Sequence, residues 1–260
     1  MEIIVCIKQV PDTTEIRIDP ETNTLIREGV PSIINPFDEN AIEEGLKLKE
    51  AHGGKVTVIT MGPPQAESAL RDALAMGVDD VILVSDRKFA GADTWATSYT
   101  LSKAIEKIGK FDVLLFGKQA IDGDTAQVGP GVAEWLDIPQ VAYIRKIEIK
   151  GDKAKVERMM EEGYEEVECK LPALFTVLKE MNEPRYPSLK GKMMAKKKEI
   201  TVWTALDINA ENDKIGLDNS PTKVVRTFTP SPRGRGEILE GEPAEIATET
   251  IKRLQEMKLL

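Results

Sequence analysis

Four short apolar runs without polar alternation, at residues 3–7, 56–60, 81–84 and 113–116, constrain this chain more than any other feature. A strand that is apolar at successive positions has both faces buried, as a parallel strand does when helices cover it. The stretches between the runs supply those helices. Asn35 precedes Pro36, an N-cap followed by a first-turn proline, and Ala41, Ile42, Gly45, Leu46 and Leu48 then recur at helical spacing. Pro63 and Pro64 open a second amphipathic stretch with Ala66, Ala69, Leu70, Ala73 and Leu74. Gly91, Ala92, Asp93 and Thr94 open a third, with Leu101, Ile105 and Ile108. This alternation predicts an α/β fold with a mostly parallel, doubly wound sheet of the adenine-nucleotide-binding type.

Other segments depart from plain alternation. Residues 16–18 and 25–27 flank a turn at 19–23 and read as a hairpin inserted after the first strand. Residues 141–149 and 154–159 flank Gly151 and Asp152 as another strand pair, and residues 172–177 read as a further strand. Residues 179–198 are polar, basic and proline-marked, a loop leading to a short helix. From 208 to 242 little regular structure is expected, and a final helix puts Ala247, Thr250, Ile251, Leu254 and Met257 on one face. The expected organisation is a nucleotide-binding domain at 1–205 and, at 206–260, an extended arm with a terminal helix. Such an arm reads as a segment that lies along a partner.

Composition narrows the function. The net charge of -9 and 5% aromatic content exclude a nucleic-acid platform, which needs a basic field and stacking rings. No apolar run approaches the roughly 18 residues of a membrane helix, so no membrane insertion is expected. The acidic start, Met1 then Glu2, is unlike a secretory leader, and a cytoplasmic location is expected. Cys6 and Cys169 are far apart and read as small buried hydrophobes; with one histidine, His52, no metal cluster is expected. His52 reads as an exposed helix-end residue. The sequence carries no nucleophile elbow, Walker loop or dinucleotide glycine motif, so no catalytic side chain is assigned.

The segment from Gly117 to Pro130 follows the fourth apolar run and leads to a helix predicted over 132–136. Ligands in open parallel sheets bind beyond the carboxyl ends of the strands. Gly123 is expected to turn the backbone, Thr125 and Ala126 to leave space, and backbone amides with Thr125 and Gln127 to receive a pyrophosphate. An ordinary strand-to-helix turn is the competing reading. Asp122 and Asp124 suit an anion site poorly, and are expected to cap the loop or accept from ribose hydroxyls. The loops at residues 8–13, 61–64 and 91–97 lie at the same edge; Thr94 and Thr97 offer hydroxyls there, with simple capping as the alternative. Lys190, Lys192, Lys196, Lys197 and Lys198 form a basic run that reads as a solvated face or, beside Asn182–Pro187, a partner contact.

These residues resemble the β subunit of electron-transfer flavoproteins over essentially the whole chain. The matching pieces are Val5-Cys6-Ile7-Lys8-Gln9-Val10, Asn35-Pro36-Phe37-Asp38, Ala73-Leu74-Ala75-Met76-Gly77, the loop from Gly117 to Gly129, Val156-Glu157-Arg158, Lys170-Leu171-Pro172-Ala173 and Asn182-Glu183-Pro184-Arg185-Tyr186. The resemblance implies a heterodimer with a larger α subunit carrying FAD. It implies a second nucleotide held here by Cys6, Ile7, Lys8, Asn35, Asp38, Met61, Gly62, Asp93, Thr94, Thr97, Asp122, Gly123, Asp124, Thr125, Ala126, Gln127, Val128 and Gly129. Phe37 would lie toward the α-subunit flavin. Tyr186, Leu189 and Lys190 would belong to the loop that docks a client dehydrogenase, with Leu189 as its anchor.

Within the family the chain is more similar to the electron-bifurcating branch. The pieces that point there are Val10-Pro11-Asp12-Thr13, the stretch from Phe89 to Thr97, the loop from Asp122 to Pro130, and Ser220-Pro221-Thr222 with Phe228. That branch implies a second FAD in this subunit, hydride taken from NADH, and electrons divided between two routes. One runs through the α-subunit FAD to an acyl-CoA-dehydrogenase-type flavoenzyme, the other to ferredoxin or flavodoxin. The alternative is a non-bifurcating subunit holding structural AMP. An ATP-using ligase or pyrophosphatase on a similar fold is disfavoured because no glycine-rich loop follows the first strand. A partnerless nucleotide binder is disfavoured by the long arm.

Overall fold

A computed structural model of the chain describes residues 1–12, 31–226, 228, 236 and 238–260. The expected hairpin over 16–27 lies outside the described residues, as does Thr13. Two compact units are present, Met1–Val224 and Val225–Leu260. The first is built on a nine-stranded sheet. Its strands are β1 (Glu2–Cys6), β4 (Lys55–Met61), β5 (Asp80–Val84), β6 (Val113–Gly117), β7 (Gln140–Lys150), β8 (Lys153–Met160), β9 (Gly163–Lys170), β10 (Ala173–Val177) and β11 (Thr201–Trp203). The spatial order is β11-β5-β4-β1-β6-β10-β7-β8-β9. Pairing is parallel from β11 to β7 and antiparallel from β7 to β9. Two shorter strands, β2 (Gln9–Pro11) and β3 (Ser32–Ile34), pair antiparallel as a separate ribbon.

The helices α1 (Pro36–His52) and α2 (Glu67–Met76) cover one face of the sheet, and α3 (Thr94–Ile108) and α4 (Val128–Leu136) cover the other. Strand periodicity sorts β1 between the two cores: Ile3 and Val5 join the α1–α2 side, Ile4 and Cys6 the α3–α4 side. Both faces are therefore apolar, which is why the run carries no polar alternation. Leu114, Leu115, Leu174 and Phe175 are fully buried in the middle strands. Truncating one of them to alanine costs about 2–5 kcal/mol through lost transfer energy and the cavity left behind.

The main departures from the sequence reading have local causes. Helix α4 begins at Val128, four residues before the expected start. Pro130 stands third in it, where the missing N–H leaves no intrahelical bond unmade. Strand β9 was not anticipated: its outward residues are exposed and charged, and only Val167 and Cys169 are half-buried. The three-residue β11 is similarly faint. The 206–224 stretch, assigned from sequence to the arm, contributes Ile208 and Ile215 to the α3–α4 core, and Ser220 is also buried. Helix α5 (Leu189–Lys197) packs against α2, and α6 (Pro243–Glu256) belongs to the second unit, with no buried residue.

Candidate functional site: a cleft at the switch point of the sheet

The chain runs from β1 outward through β4 and β5, then returns to place β6 on the other side of β1. Such a reversal opens a crevice outside the carboxyl ends of the two central strands. Asp38, near the start of α1, closes its floor. Its Oδ2 accepts the Lys8 amide at 2.7 Å and its Oδ1 the Gly117 amide at 3.1 Å, so one carboxylate ties together the ends of β1 and β6. Gly117 is required by close approach: a Cβ there would stand 2.7 Å from the Phe37 carbonyl carbon and 2.8 Å from the Asp38 nitrogen. Burial raises the Asp38 carboxyl from 3.8 to about 7, against the opposing pull of hydrogen bonds from Lys8, Asn35 and Gly117. Burial, and secondarily the Asp38 charge, also push the Cys6 thiol well above its usual value.

The loop after β6 is fixed from below. Asn35 donates from Nδ2 to the Gln119 carbonyl at 2.9 Å and accepts the Ile121 amide at 3.1 Å. Lys8 Nζ binds both oxygens of Asp122, at 2.7 and 2.9 Å, and Gln119 Nε2 donates to Asp124 Oδ1 at 2.7 Å. The two aspartates are thus tied within the loop. The sharp turn expected at Gly123 is made instead by Asp124 and Ala126, with φ of 50° and 53°. For alanine that conformation costs roughly 1–2 kcal/mol. Beyond it, the amides of Thr125, Ala126, Gln127, Val128 and Gly129 have no acceptor among the described residues. Five consecutive N–H groups at the entry to a helix are thus unused, and donors so placed can receive an anion.

The N-terminus of α3 flanks this loop. Thr94 Oγ1 donates to Gln127 Oε1 at 3.1 Å. Asp93 is the N-cap: Oδ1 accepts the Ala96 amide at 3.0 Å, and Oδ2 accepts the Thr222 amide and hydroxyl at 2.9 and 2.8 Å. The Asp93 amide in turn donates to Ser220 Oγ at 2.9 Å. Thr97 is half-buried, with its amide donating to the Asp93 carbonyl at 2.9 Å. Met61 and Gly62 line a recess with Lys8, Gln9 and Val10. The structure therefore gathers Lys8, Asn35, Asp38, Thr94 and the loop from Asp122 to Gly129, with Cys6 and Ile7 buried in the core.

The Electron transfer flavoprotein domain family matches residues 22–208 of the chain. The electron transfer flavoprotein subunit beta of Thermoanaerobacterium thermosaccharolyticum is 60% identical over 255 residues, 98% of each chain. The chain belongs to the electron transfer flavoprotein β-subunit family. This electron transfer flavoprotein β chain is also 51% identical, over 100% of each chain, to the caffeyl-CoA reductase-Etf complex subunit CarD of Acetobacterium woodii. It is 48% identical to the protein FixA of Azotobacter vinelandii, over 98% of this chain and 94% of that one.

Of the expected docking residues of this β chain, Phe37 abuts Gly117 at the cleft, while Tyr186, Leu189 and Lys190 lie at the entry to α5. Tyr186 is 97% exposed and Leu189, first residue of α5, is 79% exposed; Lys190 is exposed beside it and Phe37 is half-buried at the start of α1. The Ser188 hydroxyl caps α5 by accepting the Gly191 amide at 2.9 Å. Arg185 anchors the segment before it, with Nε 2.8 Å from Glu43 and Nη1 2.6 Å from Glu50, both on α1. Leu189 is thus exposed at the start of a capped helix, after a segment anchored on α1. Sequence reasoning placed Lys118 in the loop without giving it a role, and it missed Tyr143. Tyr143 has φ of 63°, and its ring lies 5.5 Å from Lys118 Nζ.

Proposed function

We propose that this β subunit holds FAD in the switch-point cleft and works in a heterodimer with an electron transfer flavoprotein α subunit, in the cytoplasm. In this reading NADH is the reductant. The electrons divide between the α-subunit FAD, serving an acyl-CoA-dehydrogenase-type flavoenzyme, and ferredoxin or flavodoxin. The observation that carries the reading is the run of five unused amides from Thr125 to Gly129, set at the switch point of a parallel sheet. The similarity to a protein named as a subunit of a caffeyl-CoA reductase-Etf complex supports the link to CoA-ester redox chemistry.

The residues present fit such a group. The amides would hold the pyrophosphate, while Asn35, Asp38 and Lys8 hold the loop in shape rather than touch the reacting atoms. Thr94 ties the α3 terminus to the same loop. When bound, the flavin supplies the electron chemistry, and this chain supplies position and electrostatics. Among the described residues no helix is long and apolar enough to cross a membrane.

The test is a nucleotide count. The chain is purified with its α partner, the complex denatured, and released FAD and AMP quantified by chromatography. Two FAD per heterodimer without AMP is expected. One FAD with one AMP would refute the second flavin and leave this subunit as a nucleotide-stabilised scaffold.

A further inference from the structure

Two helices hold the segment that carries Tyr186 and Leu189, one at each end. On the α1 side, Asn182 Nδ2 donates to Glu44 Oε2 at 3.0 Å and to the Asn40 carbonyl at 3.1 Å. Asn40 Nδ2 returns a bond to the Asn182 carbonyl at 2.8 Å and reaches the Lys179 carbonyl at 3.4 Å. Arg185 binds Glu43 through its amide at 3.0 Å, Nε at 2.8 Å and Nη2 at 3.0 Å, while Nη1 reaches Glu50 at 2.6 Å. Asn40, Glu43 and Glu44 are buried although all are polar. Buried polar groups persist where they are hydrogen-bonded, and the side-chain bonds of these three go to residues 179–185. This face of α1 is built to receive that segment.

On the α2 side the hold is made by close approach and by a helix end. Gly191, in the first turn of α5, lies against the end of α2: a Cβ there would stand 2.3 Å from the Ala75 carbonyl oxygen. At the far end of α5, Arg71 Nη1 donates to the Ala195 carbonyl at 2.6 Å, and its Nε and Nη2 rest on Glu67 at 2.8 and 2.5 Å. A guanidinium at a helix carboxyl end satisfies an open carbonyl and complements the dipole. Residues 186–190 therefore bridge two fixed points. Within the bridge Pro187 has a locked φ and Ser188 caps α5. Tyr186 and Leu189 are exposed, yet the backbone that carries them is held on both sides.

We propose that Arg185, on its Glu43 and Glu50 seat, and Gly191, against the end of α2, are positioning residues for docking of the client flavoenzyme. They fix the backbone of residues 186–190, so the client meets Leu189 already in place. This rests on the reading in which Leu189 is the client's anchor. A segment held in its bound shape has little ordering cost to meet at the encounter, and releasing it weakens binding without removing any contact. Neither residue touches the client or the nucleotide in this assignment.

The experiment assays the complex of this chain with its α partner for electron transfer to a purified short-chain acyl-CoA dehydrogenase. Urea midpoints and bound nucleotide are measured on the same preparations. Arg185→Met strands Glu43 and is expected to lower the midpoint and raise KM for the flavoenzyme together. The double variant Glu43→Met with Arg185→Met removes both charges, so its midpoint should return toward wild type. Its KM should stay about three- to thirty-fold high, with kcat within about two-fold and nucleotide content unchanged. Arg185→Lys should rescue little of the KM, because one ammonium cannot span Glu43 and Glu50. Gly191→Ala, acting at the other fixed point, should raise KM in the same way. A KM that recovers along with the midpoint in the double variant would overturn the assignment, since the role would then be stability alone. A Leu189→Asp complex that keeps the wild-type KM would instead remove the docking reading, and this inference with it.

Discussion

Replacing Asp38 by asparagine should change the pH dependence of stability more than stability itself. In the folded protein this carboxyl titrates at about 7, in the unfolded chain near the ordinary 3.8. Between those values the folded state keeps a proton that the unfolded chain has released, so stability falls as pH rises. The contribution is fully present below the unfolded value and is lost by the time pH has passed the folded one. Each pH unit inside the window is worth about 1.4 kcal/mol, so pH 5 to pH 8 spans roughly 3 kcal/mol. Asparagine cannot ionise and lacks this slope. It also has one oxygen where Asp38 uses two, so the amide of Lys8 or of Gly117 faces an NH₂ group and loses its acceptor, costing about 1–3 kcal/mol. The wild type should therefore be the more stable protein at pH 5, with the gap closing or reversing by pH 8. Urea unfolding of both ligand-free proteins at pH 5, 6, 7 and 8 measures it. Two parallel pH profiles would show that burial does not raise Asp38, and the reasoning would be wrong.

Arg185→Ala should cost about 2–3 kcal/mol in urea midpoint analysis. It strands the Glu43 carboxylate, whose side chain is only 5% exposed, although the partly exposed arginine tempers the loss. Gly117→Ala should destabilise by about 1–3 kcal/mol, because the new methyl meets the backbone of Phe37 and Asp38, and bound nucleotide should fall in the same preparation. Leu189→Asp should leave the unfolding midpoint within about 0.5 kcal/mol of wild type, since the side chain is exposed, while reduction of the client flavoenzyme by the complex slows.

The parallel core was legible because its strands are buried on both faces, and that condition writes itself as unbroken apolar runs. Strand β7 and its partner β8 were legible from Gly151 and Asp152 between two extended stretches. Strand β9 was not, because Tyr164, Glu165, Glu166 and Glu168 are exposed and its support is across the ladder, in pairs such as Lys153 with Glu168 and Lys155 with Glu166. At the site, the loop from Asp122 to Gly129 stood out by its place after a buried strand. The double role of Asp38 did not, since its two backbone donors come from Lys8 and Gly117, 30 and 79 positions away. Tyr143 left no signal either. Its positive φ depends on a hydroxyl 33 residues distant, at Thr176, and nothing in the local sequence asks for it.

The two outer strands of the sheet bear on how the protein behaves in a crowded solution. A free strand margin offers unpaired backbone groups to any other extended chain, and a second copy is the nearest such chain. On one side β9 carries Glu165, Glu166 and Glu168, each facing its own cation across β8 rather than outward. Two such margins brought together would set glutamates against glutamates, with their neutralising lysines and arginine one strand further back. On the other side β11 is three residues long and follows Lys196, Lys197 and Lys198. Among the described residues, one border carries repelling charge and the other offers too little length to zip, and both features disfavour edge-to-edge pairing of copies.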